Sequence, residues 1–238
     1  MTLTFSPGLS SYYLSIFKEI FINEVYAFTN KIDSELKMSK KSWTIIDIGA
    51  NIGLSVAYFH NRYPNAEIIA IEASPINYKL LAENVSVNNL QNVEIRNCFV
   101  SNININTKFY HNMTKPGGSF GEGYKEKDGK ILKKFDVKTE KISDIVQPYE
   151  NILIKIDVEG AEYDILEDLA LSTNIQEVLE ILVEVSIQNL NHFNNLNKAL
   201  NNFYKLGFEP RIISDFTTKL LKYKSKQGHL QLSLVRNT

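Results

Sequence analysis

From Trp43 onward, short apolar runs alternate with longer stretches in which apolar residues return every three or four positions. "WTIIDI" reads as a buried strand, Leu54 to Arg62 as a helix, and "AEIIAIEA" as a second strand. Pro75, suited to a first helical turn, opens a helix reaching about Asn88, and "NVEIRN" follows as a third strand. Further on come the strand "KFDVKTEKI", a short helix from Ser143, the strand "NILIKID", and a helix from Ala161. The strand "EVLEILVEV" and a helix from Leu190 to Tyr204 complete the alternation. Strands alternating with helices imply parallel pairing through right-handed crossovers. The tail, "GFEPRIIS" and then "GHLQLSLVR", reads as two strands closing an antiparallel edge.

Two stretches depart from this rhythm. Ahead of it, Ser10 or Ser11 caps an expected helix continuing to about Leu36, with Tyr13, Phe17, Ile20, Val25, Phe28, Ile32 and Leu36 on roughly one face. That face suits either packing against the sheet or a lid over a substrate. Residues 111–134 hold five glycines, a proline and interleaved charges, and read as a loop or hairpin whose stems cross near Lys108 to Tyr110. Within it, Phe120 and Tyr124 are candidates to stack on a sugar or base, and His111 stands at its mouth.

Composition narrows the classes. At 238 residues and 44% hydrophobic the chain suits one sizeable α/β core, and neither a repeat nor a linker interrupts it. A balance of 26 Lys and Arg against 27 Asp and Glu argues against a protein built to grip a polyanion. Cys98 is the single cysteine, which excludes an intramolecular disulfide and a cysteine-rich metal site. No apolar run reaches spanning length and no signal-peptide pattern opens the chain, so cytoplasm is the expectation and the sequons at Asn84 and Asn112 are read as chance. His60, His192 and His229 are scattered singly and none is assigned a catalytic part.

In an open α/β sheet, ligands bind beyond the carboxyl ends of the strands where strand order reverses, so the first strand–turn–helix unit is where chemistry is expected. There, "DIGANIG" brings Asp47, Gly49, Ala50, Asn51 and Gly53 together. A dinucleotide fingerprint needs glycines where this chain has Asn51 and Leu54, and a P-loop needs a Gly-Lys-Ser/Thr that does not follow. S-adenosylmethionine fits better, because the turn then meets an amino acid end and no pyrophosphate. Asp47 is placed to accept from its ammonium, and Glu72, ending the second strand, to take the ribose hydroxyls. Ala73 and Ser74, next in the chain, belong to the same expected cofactor set.

"NILIKIDVEGAEYDIL" delivers a second acidic cluster, with Asp157 at a strand's carboxyl end, Glu159 and Gly160 in the turn, and Glu162 in the next helix. Acidic groups there complement the helix dipole, and Asp157 and Glu159 also face the expected crevice. Lys155 shares the face of Asp157; such a lysine either holds the carboxylates apart or orients the acceptor, or is simply solvated. Asp157, Glu159, Glu162 and Glu184 carry the oxygens that Mg²⁺ favours, yet their spacing does not demand a metal and none is predicted.

Together "IIDIGANIGLSV", "IAIEASPINYKLLAENVSVNNLQNVEIRNCFVSN", "VKTEKISDIV", "IKIDVEGAEYDIL" and "ILVEVS" resemble the FkbM family of S-adenosylmethionine-dependent methyltransferases, over about Trp43 to Ser186. The resemblance implies a Rossmann-like class I methyltransferase fold, mostly parallel and seven-stranded, with helices on both faces and an antiparallel C-terminal edge. Residues 43–238 would form that domain, with residues 1–42 a helical extension packed on it. It further implies Asp47, Gly49, Asn51 and Gly53 around the methionine moiety and Glu72 on the ribose. Asn97 to Ser101 would then lie beside the adenine, and Asp157 and Glu159 toward the methyl. Many members carry a histidine two residues after the glutamate matching Glu184, where this chain has Ser186.

The implied reaction is O-methylation of a hydroxyl on a sugar, glycan or secondary metabolite. An alcohol needs a base as its proton leaves, and Asp157 and Glu159 are the candidates, with Glu184 behind them. The expected partner is a small-molecule or glycan acceptor, with no nucleic acid and no membrane span. The rivals are a methyltransferase of RNA ribose or protein, a nicotinamide oxidoreductase, and a non-catalytic binding module. For the first, Lys125, Lys127, Lys130, Lys133 and Lys134 are the basic residues, interleaved with Glu122, Glu126 and Asp128.

Overall fold

A computed structural model describes residues 2–5, 8–38, 41–113, 132–158, 160–187, 189–215 and 228–237. Five strands of one sheet pair in parallel: β1 (Thr44–Ile48), β2 (Glu67–Ile71), β3 (Val93–Arg96), β8 (Ile152–Ile156) and β9 (Val178–Ile187). β11 (Gly228–Arg236) joins β9 antiparallel, and β10 (Phe208–Asp215) joins β11 antiparallel. The order is β10-β11-β9-β8-β1-β2-β3, the mostly parallel seven-stranded sheet with an antiparallel edge that the resemblance implies.

Between the strands run α3 (Leu54–Arg62), α4 (Pro75–Val87), α6 (Glu162–Ala170) and α7 (Leu190–Lys205). Alternate residues of each central strand serve opposite faces. Ile46, Ile48, Ile154 and Ile156 pack with Ile165, Leu169 and Phe203 on one side, and Ile45, Ile68 and Leu153 pack with Phe59 and Leu81 on the other. Burial on both faces is why these strands read as unbroken apolar runs. Each fully buried isoleucine contributes about 1.5–3 kcal/mol, so this core anchors the strand ends that carry polar groups. Ser74 caps α4 by accepting from the Asn77 amide at 3.3 Å, and Pro75 takes the first helical position.

Two smaller sheets flank the main one. β4 (Phe99–Ser101) pairs parallel with β7 (Thr139–Lys141), which leads into α5 (Ile142–Ile145). β5 (Thr107–Asn112) and β6 (Leu132–Val137) form an antiparallel hairpin with Lys108 opposite Asp136 and Tyr110 opposite Lys134, the crossing expected from sequence. Phe120, Tyr124, Glu122, Lys125, Glu126, Lys127, Asp128 and Lys130 lie outside the described residues.

The N-terminal segment corrects one expectation. It is not a single helix from Ser10 to Leu36. α1 (Ser10–Phe17) passes into a π-helical turn at Lys18–Ile22, Glu24 takes a left-handed conformation with φ 50°, and α2 (Asn30–Met38) starts afresh. The apolar spacing still meets its target: Tyr13, Ile20, Phe28, Ile32 and Leu36 are buried in the same core as Ile45 and Phe59. Long-range bonds make the break. Thr29 donates through its amide and hydroxyl to Glu180 on β9, and Gln231 on β11 donates to the Val25 carbonyl at 2.5 Å. No helix among the described residues is long and apolar enough to cross a membrane.

Candidate active site

Strand order reverses between β1 and β8, and there the glycine turn and the acidic strand end meet. The turn holds three alternate residues in the left-handed region: Gly49 at φ 84°, Asn51 at 52° and Gly53 at 94°. Asparagine is among the few side chains that tolerate this conformation, which explains how Asn51 stands where a dinucleotide turn has glycine. Gly49 is demanded by a neighbouring strand: a Cβ there would lie 1.9 Å from the Asp157 carbonyl oxygen. At Gly53 a Cβ would meet the Leu81 side chain of α4 at 2.8 Å. Both glycines therefore allow close approach within the fold.

Glu72, at the end of β2, braces this turn. One carboxylate oxygen accepts from the Asn51 amide and the other from the Ser74 amide, each at 2.8 Å. Burial pushes its pKa up to about 7, against the lowering effect of those amides and of Lys155. The Asn51 Oδ1 atom is buried without a hydrogen-bond partner among the described residues.

At the end of β8, Lys155 is not solvated. It is 1% exposed, its Nζ lies 3.0 Å from Asp47 Oδ1 and 3.8 Å from Asp157 Oδ2, and it donates to the Gly49 carbonyl at 3.0 Å. Burial works against its charge, but Asp47 and Asp157 outweigh that and hold its pKa above the ordinary lysine value. The Tyr26 ring lies 5.1 Å from the ammonium, and its hydroxyl donates to Asp157 Oδ2 at 2.6 Å. Burial, with Asp157 and Glu184 adding, raises the Tyr26 pKa well above the usual phenol, which keeps the donor protonated.

These groups share a cavity of ≈ 380 Å³, within the roughly 300–1,000 Å³ of ligand sites. Of the residues singled out from sequence, Gly49, Ala50, Asn51, Glu72, Ala73, Asp157 and Glu184 line it. Asp47 is absent from the cavity lining: its Oδ1 forms the ion pair with Lys155 but, like Asn51 Oδ1, has no hydrogen-bond partner among the described residues, and its Oδ2 accepts from the Ser55 hydroxyl at 2.5 Å. Gly53 is likewise outside the lining. Asn97 donates to the Glu72 and Ala73 carbonyls, and Ser101 sits on β4; between them Cys98, Phe99 and Val100 provide the wall. Ser74 and His111 bond each other at 2.8 Å beneath α4; burial, with Lys133 adding, lowers the His111 pKa and the ring does not line the cavity. His192 Nδ1 lies 3.0 Å from the Ser186 carbonyl. Glu159, and the side chain of His229, lie outside the described set. Among the described residues no three His, Cys, Asp or Glu side chains gather as a metal site would require.

From sequence, the wall supplied by the N-terminal segment was only one of two options, packing against the sheet or a lid over a substrate. Tyr12, Ile16, Glu19, Ile20 and Tyr26 of that segment line the cavity, as do Phe109 of β5 and Gln231 of β11. The apolar face of that segment was legible. Nothing in the spacing tied Tyr26 to Asp157, 131 positions away.

The sequence model described as "Methyltransferase FkbM domain" matches residues 47–210. Methyltransferase sdnD of Sordaria araneosa is 31% identical over 181 residues, 64% of this chain and 67% of that protein. Methyltransferase 1 of Beauveria bassiana (strain ARSEF 2860) is 28% identical over 176 residues, 65% and 66% of the two chains. The chain thus spans about two thirds of the length of each relative. Among solved structures, the precorrin-6y C5,15-methyltransferase from Geobacter metallireducens GS-15 superposes with a TM-score of 0.44 at 14% identity, covering 87% of this chain and 86% of that one. P. horikoshii TYW2 in complex with MeSAdo gives 0.45 at 15%, covering 99% and 66%.

Proposed function

This chain belongs to the FkbM family of S-adenosylmethionine-dependent methyltransferases, and we propose that it methylates a hydroxyl of a small molecule or glycan with Asp157 as general base. The residues present fit the cofactor. The buried, unpartnered Asn51 Oδ1 suits the ammonium of a methionine moiety. The Glu72 carboxylate, which lines the cavity at the end of β2, suits the ribose hydroxyls. Cys98 to Val100 offer a largely apolar wall for the base. When bound, S-adenosylmethionine supplies an already activated methyl group, so the protein has to orient the acceptor, exclude water and receive a proton.

The observation carrying this reading is the state of Asp157. Its side chain is 38% exposed and lines the cavity, and its Oδ2 is engaged by Tyr26 and Lys155. Oδ1 has no hydrogen-bond partner among the described residues and is left to take the acceptor proton. A hydroxyl requires such a base, which is worth about 10²–10⁴-fold. Glu184, on the neighbouring strand end, lines the same cavity and supports acceptor binding.

Titration of S-adenosylhomocysteine by calorimetry, with NAD⁺ as control, tests the cofactor assignment; binding of NAD⁺ alone would overturn it. A screen of sugars, nucleotide sugars and other polyols with methyl-labelled donor then finds the acceptor. With it, Asp157→Asn is expected to lower kcat by about 10²–10⁴-fold while S-adenosylhomocysteine still binds. A wild-type rate in that variant removes Asp157 as the base.

A further inference from the structure

Tyr26 lies outside the matched residues 47–210, yet its hydroxyl reaches a carboxylate that lines the cavity. Its surroundings are specific. The phenol is buried, its hydroxyl donates to Asp157 Oδ2 at 2.6 Å, and Lys155 packs against its ring. Its backbone is fixed from both sides. Gln231 holds the Val25 carbonyl, and Thr29 is held by Glu180, which also accepts from Ser233 at 2.6 Å. Arg62 ties the preceding turn through Glu24 at 2.6 Å and the following helix through Asp33 at 2.8 Å. Such anchoring exceeds what a surface strap needs. It delivers one hydroxyl to one carboxylate oxygen.

We infer that Tyr26 is a positioning residue for the Asp157 base, contributed by the N-terminal segment: its hydroxyl holds Oδ2 so that Oδ1 faces the acceptor proton. This rests on Asp157 acting as the base. The charged and titratable groups around the carboxylate are Lys155 on β8, Asp47 on β1, Glu72 at the end of β2, Glu184 on β9 and Tyr26 itself. Lys155 is shared with Asp47, whereas the Tyr26 hydroxyl is a neutral donor committed to Asp157. Proton transfer balances without it: the acceptor oxygen would bond the methyl as the sulfonium–methyl bond breaks with its electron pair left on sulfur, and the acceptor proton would pass to Asp157, while Tyr26 keeps its own proton.

The test needs no acceptor. Protein labelled with ¹³C at the aspartate side-chain carboxyls, with the Asp157 signal identified by its loss in Asp157→Asn, is titrated by NMR as wild type and as Tyr26→Phe. Phenylalanine keeps the ring against Lys155 and removes the hydroxyl. A hydrogen bond to the ionised form favours it, so its loss moves the Asp157 titration midpoint upward by about one pH unit. Incorporating 3,5-difluorotyrosine at position 26 strengthens the donor, keeps its shape, and moves the midpoint downward. Unchanged midpoints in both proteins overturn the inference. With an acceptor in hand, Tyr26→Phe is expected to lower kcat about tenfold with KM and S-adenosylhomocysteine affinity preserved. If Asp157→Asn remains active, the base assignment fails whatever the NMR shows; if that variant is inactive and the midpoints do not move, only the part given to Tyr26 fails.

Discussion

Acidifying the solution from pH 8 to pH 6 titrates Glu72, and cofactor affinity is expected to follow it. The carboxyl is buried at the end of β2, and burial raises its pKa to about 7. Ribose hydroxyls donating to its oxygens favour the ionised form, so binding pulls the group toward deprotonation. The sign follows: below pH 7 the protein binds S-adenosylhomocysteine only after releasing a proton, and affinity falls as pH falls. With a pKa near 7, about nine-tenths of the carboxyl is protonated at pH 6 and about one-tenth at pH 8, which weakens binding about tenfold between them, or roughly 1.4 kcal/mol. Calorimetry at pH 6 in buffers of different ionisation enthalpy should report close to one proton released per ligand bound, and almost none at pH 8. Glu72→Gln should flatten the dependence while binding more weakly at pH 8. His111 is the nearest group to confuse the result, but its lowered pKa moves its titration toward the acid end of this window. A dissociation constant that does not change from pH 6 to pH 8, or a slope that survives Glu72→Gln, refutes the assignment of Glu72 to the ribose.

Three further outcomes follow from the turn and the ion cluster. Gly49→Ala places a Cβ against the Asp157 carbonyl oxygen in a left-handed conformation, and is expected to cost at least about 3 kcal/mol, a fall in Tm of roughly 6–12 °C by thermal unfolding. A fall within about 2 °C would mean that β1 and β8 part easily at their ends. Asn51→Gly keeps the φ 52° backbone and removes Oδ1, so stability should stay within about 1 kcal/mol while S-adenosylhomocysteine affinity falls about tenfold; undiminished affinity would show that Oδ1 holds no ligand. Lys155→Met leaves Asp47 buried without its cation, at a cost of about 3–5 kcal/mol, and the double variant with Asp47→Asn should recover more than half of that loss. Strict additivity of the two losses would dissolve the pair as an energetic unit.

How far the sequence could be read depended on how locally each feature was determined. β1, β2 and β8 are buried on both faces, so their composition announces them whatever surrounds them. The Ser74 cap and Pro75 mark the start of α4 within two residues. Gly49, Asn51 and Glu72 were legible as a turn at a strand end, because left-handed backbone, close strand approach and a bracing carboxylate restrict residue type at fixed spacing. The part played by Asp47 was legible only by halves: its place on β1 was evident, but its oxygens belong to Lys155 and Ser55, side chains whose convergence is a tertiary fact. The N-terminal segment shows the limit. Its apolar period runs on through Asn23 and Glu24, yet bonds to Glu180 and Gln231, 151 and 206 positions distant, decide that the chain turns there.

That turn bears on how the site works as a unit. Lys155 links what the sequence presented as two separate motifs, donating to the Gly49 carbonyl, pairing with Asp47 beneath the turn, and lying 3.8 Å from Asp157 Oδ2. Tyr26 then brings the N-terminal segment to the same carboxylate. Buried ionic groups of this kind contribute little net stability, since desolvation offsets most of their attraction. Their arrangement is better explained by geometry: one cation holds the cofactor turn and the candidate base at a fixed separation, and one phenol fixes the direction of the base. A methyl transfer needs donor, methyl and acceptor aligned to within a fraction of an ångström. In the proposed reaction, a cluster joining the ends of β1 and β8 to a segment ahead of the matched domain would supply that alignment from three elements at once, and a change at any of them should reach the acceptor through Asp157.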